Sequence, residues 1–252
     1  LLQRMYAAMP TERWQYESHN VAWTLAQKWL QKQHAQTDRL RILDVGAFDG
    51  AFLKTLPSTW DRQAIEPSAA ARRDLEQAGV ACVTDFLSQP RQEDAGTFDV
   101  VTMFDVFEHL PNPSDSLNHA LAYLKPSGHL LLSTGNCDHW TWRLLGGWHW
   151  YVTTPQHIVF GNDRYFRTLA QTFNAQLRIC DQHPHQNQPV RRHISQIIES
   201  LVFAGRQSTS WLFNSATRAL LYVPGFGAFR HRESAPYSPA IPDHIFVVIQ
   251  KN

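Results

Sequence analysis

Short apolar runs and amphipathic stretches alternate along the first half of the chain. The apolar runs, each bounded by turn-forming residues, predict strands at 41–45, 62–65, 80–84, 98–103 and 129–133. The segments between them have helical periodicity with Ser, Pro or Gly near their ends, and they predict helices at 50–57, 68–79 and 114–124. Strands that alternate with helices are typical of βαβ units, so the pattern predicts a parallel sheet covered by helices.

Further elements precede and follow this alternation. Residues 12–32 predict an amphipathic helix, because apolar positions recur at helical spacing from Ala22 to Trp29. Beyond an aromatic, turn-rich segment, the predicted elements are a helix at 163–173, a strand at 176–180, apolar helical stretches at 194–202 and 211–223, and a strand at 245–249. The predicted fold class is therefore α/β, with an N-terminal helix and a helical insertion before the last strand.

Composition fits a globular domain and excludes several classes of function. The 252 residues are 43% hydrophobic and 18% charged, which suits one large α/β domain. The net charge is +1 and no basic run reaches five residues, so we expect no nucleic-acid partner. Three widely spaced cysteines predict neither a disulfide framework nor a zinc site, and they favour the cytoplasm. No apolar run is long enough to predict a signal peptide or a transmembrane segment.

The segment RILDVGAFDG, residues 41–50, is the strongest sign of a ligand site. It joins an apolar strand to a turn with glycines at 46 and 50, at the sheet edge where open α/β sheets bind ligands. Phe48 stands where a dinucleotide fingerprint needs its second glycine, and no Lys-Ser or Lys-Thr follows Gly50 as a phosphate-binding loop requires. These residues leave a nucleoside ligand without a diphosphate.

Polar or turn-forming residues also follow or precede the other predicted strands. Glu66 ends the second strand, 22 residues after Asp44, where a carboxylate can accept both hydroxyls of a ribose. Asp85-Phe86 follows the third strand and offers a carboxylate to an exocyclic amine and a ring to a base. The fourth strand leads into FDVFEHL, residues 104–110, and LKPSG at 124–128 precedes the fifth.

In this order and spacing, the motifs resemble the class I S-adenosylmethionine (SAM)-dependent methyltransferases, in particular the subgroup with E-H-L after strand four. The resemblance covers about residues 38–180. It implies a three-layer, Rossmann-like, seven-stranded sheet in the order 3-2-1-4-5-7-6 with an antiparallel last strand. The implied parts are an N-terminal helical lid (1–37), a SAM-binding core (38–182), a helical and loop elaboration for substrate or interface (183–242) and the last core strand (243–252).

The resemblance also implies which residues bind SAM and its product, S-adenosylhomocysteine. The cofactor-binding positions it assigns are Asp44, Gly46, Ala47, Phe48, Gly50, Glu66, Pro67, Asp85, Phe86, Phe104 and Asp105. The turn at 46–48 would hold the methionine end and Asp44 its amino group. Glu66 would hold the ribose, Asp85 and Phe86 the adenine, and Phe104 and Asp105 the side near the sulfonium.

Two histidines are candidates for a catalytic base, which is needed if the acceptor must lose a proton. His109 comes first, because it lies just after strand four beside the expected methyl group. Its alternative role is to cap the loop by a hydrogen bond to backbone. His157 comes second, in a His-Ile-x-x-Phe element that flanks the substrate pocket in similar proteins, although a structural role is the favoured interpretation.

The segment 140–151 is rich in tryptophan and predicts either a satellite hydrophobic cluster or an aromatic wall for the acceptor. Under the second interpretation, the candidate substrate residues are Trp148, Trp150, Tyr151 and Gln156. His183-x-His185 has the spacing of a metal pair, but a solvated loop is the favoured interpretation, and we assign no metal.

Several functions stay open at this point. The first hypothesis is an O-methyltransferase acting on a hydroxyl of a sugar, glycan or secondary metabolite. A quinone or polyketide phenol is the alternative acceptor, which the apolar stretch at 194–223 would suit. A non-catalytic SAM-binding or partner-binding module is the alternative of another class, with 194–223 as an interaction face or membrane-surface contact. An oligomer is compatible with either class.

Overall fold

The computed structural model describes residues 20–35, 37–223 and 235–252. The strands in these ranges are β1 (Arg41–Val45), β2 (Asp61–Ile65), β3 (Ala81–Thr84), β4 (Phe98–Phe104), β5 (Leu124–Gly135), β6 (Ala175–His183) and β7 (His244–Lys251). The α-helices are α1 (Val21–His34), α2 (Ala51–Lys54), α3 (Ala69–Gln77), α4 (Pro113–Tyr123), α5 (Trp140–Leu145), α6 (Asp163–Thr172), α7 (Val190–Gln207) and α8 (Trp211–Leu220). Short 3-10 helices cover Phe107–His109 and Gly146–Trp148.

The strands form one sheet in the order β3-β2-β1-β4-β5-β7-β6, which confirms the predicted order. The pairs among β1 to β5 are parallel, and β7 is antiparallel to both β5 and β6. Because β7 runs in the opposite direction, its first residue lies at the edge where the other strands end. His244 is accordingly paired with Gly135 of β5 and His183 of β6.

Alternate residues of the central strands face two helical layers. On one face, Leu43 and Val45 of β1 pack in a core cluster with residues of α4 and α6. On the other face, Ile42 packs with residues of α1, α2 and α3. Near-continuous apolar strands are what a parallel sheet covered on both faces requires, and the result is the expected three-layer architecture.

The part of the helix predicted at 12–32 that the structure describes is confirmed from Val21 onward. Helix α1 starts at Val21, where the Asn20 side chain accepts a hydrogen bond from the backbone N–H of Ala22 at 2.9 Å. Such a cap marks a helix start. The part of the prediction before residue 20 lies outside the described residues.

Two strands are longer than their apolar runs indicate. Strand β5 begins at Leu124 rather than at residue 129, because Leu124 already pairs with Phe98 before the register shifts. Strand β6 continues beyond residue 180 to His183, although its last residues are polar. Its pairing with β7 supplies the backbone hydrogen bonds that this extension needs.

The insertion before β7 forms a hairpin of two helices, α7 and α8. It leaves the sheet after His183 and returns before His244, and the backbone N–H of Gln186 donates to the carbonyl of Pro239 at 2.9 Å near its base. The apolar residues Phe203 and Ala204 of α7 pack against Leu145 of α5. Of the helices that the structure describes, none has both the length and the apolarity that crossing a bilayer requires.

Candidate active site

The turn after β1 has a left-handed backbone. Gly46 and Gly50 have φ angles of 74° and 76°, and Phe48 has a φ angle of 49°. A Cβ atom on Gly46 would overlap the side chain of Val106, so only glycine fits there. Phe48 adopts a conformation that costs a non-glycine residue about 1–3 kcal/mol, so its neighbours must hold it in place.

Glu66, directly after β2, provides that support. Its Oε2 accepts a hydrogen bond from the backbone N–H of Phe48, and its Oε1 accepts one from the backbone N–H of Ser68, each at 2.7 Å. Burial raises the pKa of Glu66, and these two bonds act against the rise. Each carboxylate oxygen keeps a second lone pair, so Glu66 can still accept hydroxyl groups of a ligand.

Asp44 is a second buried carboxyl group beside this turn. It accepts a hydrogen bond from Thr102 Oγ1 at 2.7 Å. Burial raises the pKa of Asp44 to about 7, against the lowering effect of Thr102 and with a further rise from the charge of Glu66. The group therefore changes its charge near neutral pH, and a cation beside it would favour the ionised form.

A cleft opens over the turn. Asp44 and residues 46–49 form its floor, and Trp23 of α1 and Phe104 of β4 are among the side chains that line it. Helix α1 thus contributes directly to the cleft, as a lid would. The opening lies at the carboxyl edge of the parallel strands, where the sequence predicts the cofactor.

The predicted adenine-binding residues follow β3. Asp85 forms an ion pair with Arg72 Nη1 at 3.0 Å, and its side chain is 59% exposed. The same Arg72 nitrogen donates to the backbone carbonyls of Glu66 at 2.8 Å and Pro67 at 3.0 Å. Phe86 is half-buried. Arg72 therefore ties the ends of β2 and β3 together beside the cleft.

Glu108 is the buried centre of a second group of residues, just beyond β4. Tyr151 Oη donates to its Oε1 at 2.5 Å, and Thr134 Oγ1 donates to its Oε2 at 2.9 Å. Burial raises the pKa of Glu108 to about 7, together with the charge of Asp105 and against these two hydrogen bonds. A carboxyl group with this pKa can hold or release a proton at neutral pH.

The two predicted catalytic histidines face this carboxyl group. His109 Nδ1 lies 3.0 Å from the carbonyl of Gln156, and His157 Nδ1 lies 2.7 Å from the carbonyl of Tyr151. Carbonyl oxygens only accept, so each neutral ring carries its proton on Nδ1 and a lone pair on Nε2. Both Nε2 atoms lie 3.9 Å from Glu108 Oε1. His109 therefore makes the backbone contact of its structural role and also lies beside the end of β4, as its catalytic role requires.

Burial keeps both imidazoles neutral at physiological pH. Burial, together with the neighbouring His109, lowers the pKa of His157 to about 4. Burial also lowers the pKa of His109, against the effects of the Gln156 carbonyl and Asp105. Two neutral imidazoles are suitable acceptors for a proton that leaves a bound hydroxyl group.

The expectation that His183-x-His185 lies in a solvated loop is wrong. His183 is buried, and its Nε2 lies 3.0 Å from Ser133 Oγ. His185 Nε2 lies 3.5 Å from Asp105 Oδ2, which also accepts from Asn20 Nδ2 at 3.1 Å. The physical reason is the extension of β6, which carries both imidazoles inward along the edge of the sheet.

Asp243, directly before β7, organises the neighbouring aromatic residues. It accepts from His149 Nε2 at 3.1 Å, His244 Nδ1 at 2.8 Å and Trp150 Nε1 at 3.3 Å. Burial alone would raise the pKa of Asp243, but the hydrogen bonds from His149 and His244 outweigh it and hold the pKa well below its usual range. Asp243 is therefore a fixed negative charge inside the protein.

Residues of the tryptophan-rich segment and the loop after it contact two different parts of the protein, the candidate site and the helical hairpin. Trp150 stacks on His244 with ring centroids 5.7 Å apart, and Tyr151 is buried beside Glu108. The carbonyl of Gln156 holds His109. Trp148 is 53% exposed and packs on Phe203 of α7 at 5.9 Å, so the structure does not bring it to the others.

Sequence reasoning missed several residues of this site: Arg72, Glu108, His185, Asp243 and His244. Glu108 stood in the quoted E-H-L motif without a role of its own. The remaining residues come from distant segments, and their signal was weak. The spacing of His183-x-His185 was one signal, which the solvated-loop interpretation set aside. The pair Asp-His before an apolar strand was another, because an antiparallel last strand starts at this sheet edge.

The mixed seven-stranded sheet and the cleft at its parallel edge define the class of α/β proteins that bind a nucleoside at the first strand. The chain belongs to the class I SAM-dependent methyltransferase family: a family model described as a methyltransferase domain matches residues 10–178. This match covers more than half of the chain and agrees with the resemblance read from the motifs.

Curated relatives match a smaller part. A ubiquinone biosynthesis O-methyltransferase of Vibrio campbellii is 32% identical over an alignment of 103 positions, and the match covers 38% of this chain and 44% of that protein. One of Cronobacter sakazakii is 29% identical over 111 aligned positions, and the match covers 41% of this chain and 46% of that protein. The chain thus spans less than half the length of these relatives.

Solved structures share the fold. A structure provisionally described as a sarcosine dimethylglycine methyltransferase from Galdieria sulphuraria has a TM-score of 0.54 and 16% identity, covering 91% of this chain and 86% of that one. The cyclase SpnF has a TM-score of 0.55 and 14% identity, covering 90% and 80%. Because a cyclase has the same fold, the reaction must be argued from the site.

Proposed function

We propose that this chain transfers a methyl group from SAM to a hydroxyl oxygen of a small molecule. One observation carries the proposal: two half-buried, neutral imidazoles, His109 and His157, face Glu108 a few residues beyond the cleft-lining Phe104. When bound, SAM supplies an electrophilic methyl group on a sulfonium. The protein then has to align the acceptor with that group and take up the hydroxyl proton.

The residues around the cleft fit an amino-acid-bearing nucleoside. Gly46 gives the turn its left-handed backbone where a Cβ would overlap Val106. The residue lines the cleft together with Asp44, which offers a carboxylate for an ammonium group. Glu66 offers unused lone pairs for ribose hydroxyls. These residues would hold the methionine and ribose parts of the cofactor.

The proposed adenine end is bounded by the carboxylate of Asp85 and the ring of Phe86. Arg72 holds Asp85 and the backbone at Pro67, so it would position this end of the cleft. Gly50 would let α2 start close behind the turn, and Ala47 and Phe104 would supply apolar contacts.

Proton removal is assigned to His109, with His157 as the second candidate. The Nε2 lone pair of His109 is the acceptor, and its Nδ1 proton is held by the carbonyl of Gln156. This Nε2 lies 3.9 Å from Glu108 Oε1, so a carboxylate there would stabilise the imidazolium that forms. Tyr151 and Thr134 keep Glu108 oriented for this role.

For the acceptor, we propose a phenol of the quinone-precursor class. The matched relatives are named for ubiquinone biosynthesis, which favours this class over the sugar or glycan hydroxyl of the first hypothesis. Trp150 is partly exposed and offers aromatic surface for a ring. The exposed apolar residues of α7 and α8 would suit a substrate with an apolar tail.

The test is methyl transfer by the purified chain from labelled SAM to a panel of acceptors. The panel contains phenols with and without an alkyl tail, and sugars, and the products are identified by mass spectrometry. We expect transfer to a phenolic oxygen and faster turnover when the tail is present. The double variant His109→Ala/His157→Ala should bind SAM normally and show little transfer.

Three outcomes would contradict the proposal. Methylation of sugars but not of phenols would return the acceptor to the first hypothesis. SAM binding without transfer to any acceptor would favour the non-catalytic binding module. Absence of SAM binding in calorimetry would reject the cofactor assignment itself.

A further inference from the structure

Three side chains from three parts of the chain converge at the sheet edge. Asp105 follows β4, His185 follows β6 and His244 begins β7. One possible ligand atom of each lies within 4.8 Å of the other two. We propose that Asp105, His185 and His244 form a binding site for a divalent first-row transition-metal ion, a site that the sequence did not predict.

His244 provides the strongest evidence. The residue is fully buried, and its Nδ1 lies 2.8 Å from Asp243 Oδ1. The carboxylate can only accept, so Nδ1 carries the proton and Nε2 has a lone pair. This Nε2 is buried without a hydrogen-bond partner. An imidazole that donates one N–H to a carboxylate and keeps its other nitrogen available has the arrangement typical of metal-binding histidines.

His185 and Asp105 complete the set. His185 Nε2 lies 3.5 Å from Asp105 Oδ2, which is long for a direct hydrogen bond, and His185 Nδ1 is buried without a partner. Ligands about 2.1 Å from a tetrahedral ion lie about 3.4 Å from one another. The separation of these two atoms therefore suits ligands of one ion. Asn20 donates to Asp105 and fixes its orientation.

The ligand types indicate the class of ion. Imidazole nitrogens favour Zn²⁺, Fe²⁺, Co²⁺ and Ni²⁺ over Mg²⁺ or Ca²⁺, and one carboxylate adds negative charge. Three protein ligands leave at least one coordination position for another molecule, as in catalytic metal sites. The aromatic rings of Trp150 and Tyr151 pack against His244 and exclude water from one side.

The location suggests what the open position does, and this part rests on the proposed function. Tyr151 contacts both His244 and His157, with ring centroids 4.9 Å and 4.1 Å away, so the proposed ion would lie one side chain away from the proposed bases. An acceptor hydroxyl bound to the ion would have a lowered pKa. Its proton leaves to an imidazole, the new O–C bond forms as the C–S bond breaks, and S-adenosylhomocysteine leaves as a neutral thioether.

The experiment measures Zn²⁺ binding to the chelator-treated full chain by calorimetry, without SAM or acceptor. We expect one Zn²⁺ per chain. His244→Ala and Asp105→Asn should each weaken binding by at least the ~10- to 100-fold that loss of an outer-shell partner costs. Circular dichroism checks that each variant folds. If one of them does not fold, His185→Gln is measured in its place. Co²⁺ added in place of Zn²⁺ should give a visible absorption band that His244→Ala removes.

Two matched controls separate this site from other histidines. His119→Ala, on α4, should leave the affinity unchanged. His157→Ala should also bind Zn²⁺. If His157→Ala lost Zn²⁺ binding while His244→Ala kept it, the ion would be assigned to the group around Glu108 and the proposal would be overturned. Failure of the wild-type chain to bind Zn²⁺ or Co²⁺ would also overturn it. Methyl transfer without metal binding would support the proposed function and reject the metal site. Metal binding without methyl transfer would support the metal site and reject the proposed function.

Discussion

Glu66 joins two segments of the cofactor cleft through one side chain. Its two oxygens hold the backbone of Phe48 in the turn after β1 and of Ser68 at the start of α3. The strained conformation of Phe48 depends on this contact. A residue expected to bind ribose thus also shapes the surface that the ribose would meet.

Replacing Glu66 by Gln should weaken SAM binding by about tenfold to a hundredfold. The amide can accept from only one of the two backbone N–H groups, and hydrogen bonds to charged groups contribute about 1.5–3 kcal/mol. Isothermal titration calorimetry measures the change. Glu76→Gln, on the exposed side of α3, is the matched control and should bind like the wild type. Equal affinity of the two variants would reject the role of Glu66.

Asp44 should make SAM binding depend on pH. Burial raises its pKa to about 7, so the ligand-free chain carries a proton there in mildly acidic solution. Only the ionised form attracts an ammonium group, and the affinity should therefore rise roughly tenfold from about pH 5.5 to about pH 7.5. Calorimetry at several pH values tests this.

The same shift determines how Asp44 affects stability. A folded-state pKa above the unfolded value means that the folded chain binds more protons between about pH 4 and pH 7, so the contribution of Asp44 to stability falls as pH rises through this window. Asp44→Asn should remove this contribution and flatten the pH dependence of SAM affinity. A variant with an unchanged pH profile would show that another group is responsible.

His109 and His157 should affect rate more than cofactor affinity. Loss of the base is expected to lower kcat by about a hundredfold or more for the variant that removes it. Because burial lowers the pKa of His157 to about 4, its ring stays neutral between about pH 6 and pH 8. Single alanine variants, assayed for kcat and for SAM binding, decide which imidazole acts. A loss below tenfold in both would reject base catalysis by either.

At the scale of elements, the crossing of α7 and α8 depends on one glycine. A Cβ on Gly205 would overlap Thr217 of α8, so the two helices can approach only because the side chain is absent. Gly205→Ala should lower the free energy of unfolding by about 1–3 kcal/mol, the usual cost of overpacking. Urea denaturation measures it. Gly147→Ala, where a methyl group meets nothing within 4 Å, is the control and should change stability little.

The elements also show how far local pattern can predict this fold. Apolar runs located the strands, but strand order is a non-local property, and it followed from the resemblance rather than from periodicity. The end of β6 escaped prediction because Asp181, Gln182 and His183 are polar and gain their strand conformation from pairing with β7. The cofactor turn was predictable, since glycines and carboxylates at strand ends have a local signal. The cluster of Asp105, His185 and His244 was not, because these three residues meet only in the fold.

At the scale of the whole molecule, the charge of the hairpin differs from the near-neutral average. Residues 190–223 contain four arginines and one acidic residue, Glu199, which is buried. Trp211, Leu212 and Tyr222 are 76%, 72% and 77% exposed. Exposed aromatic and aliphatic side chains among arginines are the composition of helices that lie on anionic lipid surfaces.

We therefore expect the chain to bind vesicles of anionic phospholipid through this hairpin. Co-sedimentation should show binding to anionic vesicles that falls with added salt, and little binding to zwitterionic vesicles. The double variant Trp211→Asp/Leu212→Asp should lose most of it, whereas Trp140→Asp, an exposed tryptophan outside the hairpin, should not. Salt-independent binding, or self-association in sedimentation velocity without vesicle binding, would contradict this expectation.

The hairpin is anchored at both ends beside the histidine cluster. Its outgoing chain passes His185 and its returning chain passes Asp243 and His244, and Gln186 and Pro239 join the two near the sheet. We expect a displacement of α7 on a bilayer to reach His185 through the short chain that joins β6 to this helix. Adsorption would then alter the site as well as determine where the protein works, so that a lipid surface would act as a switch.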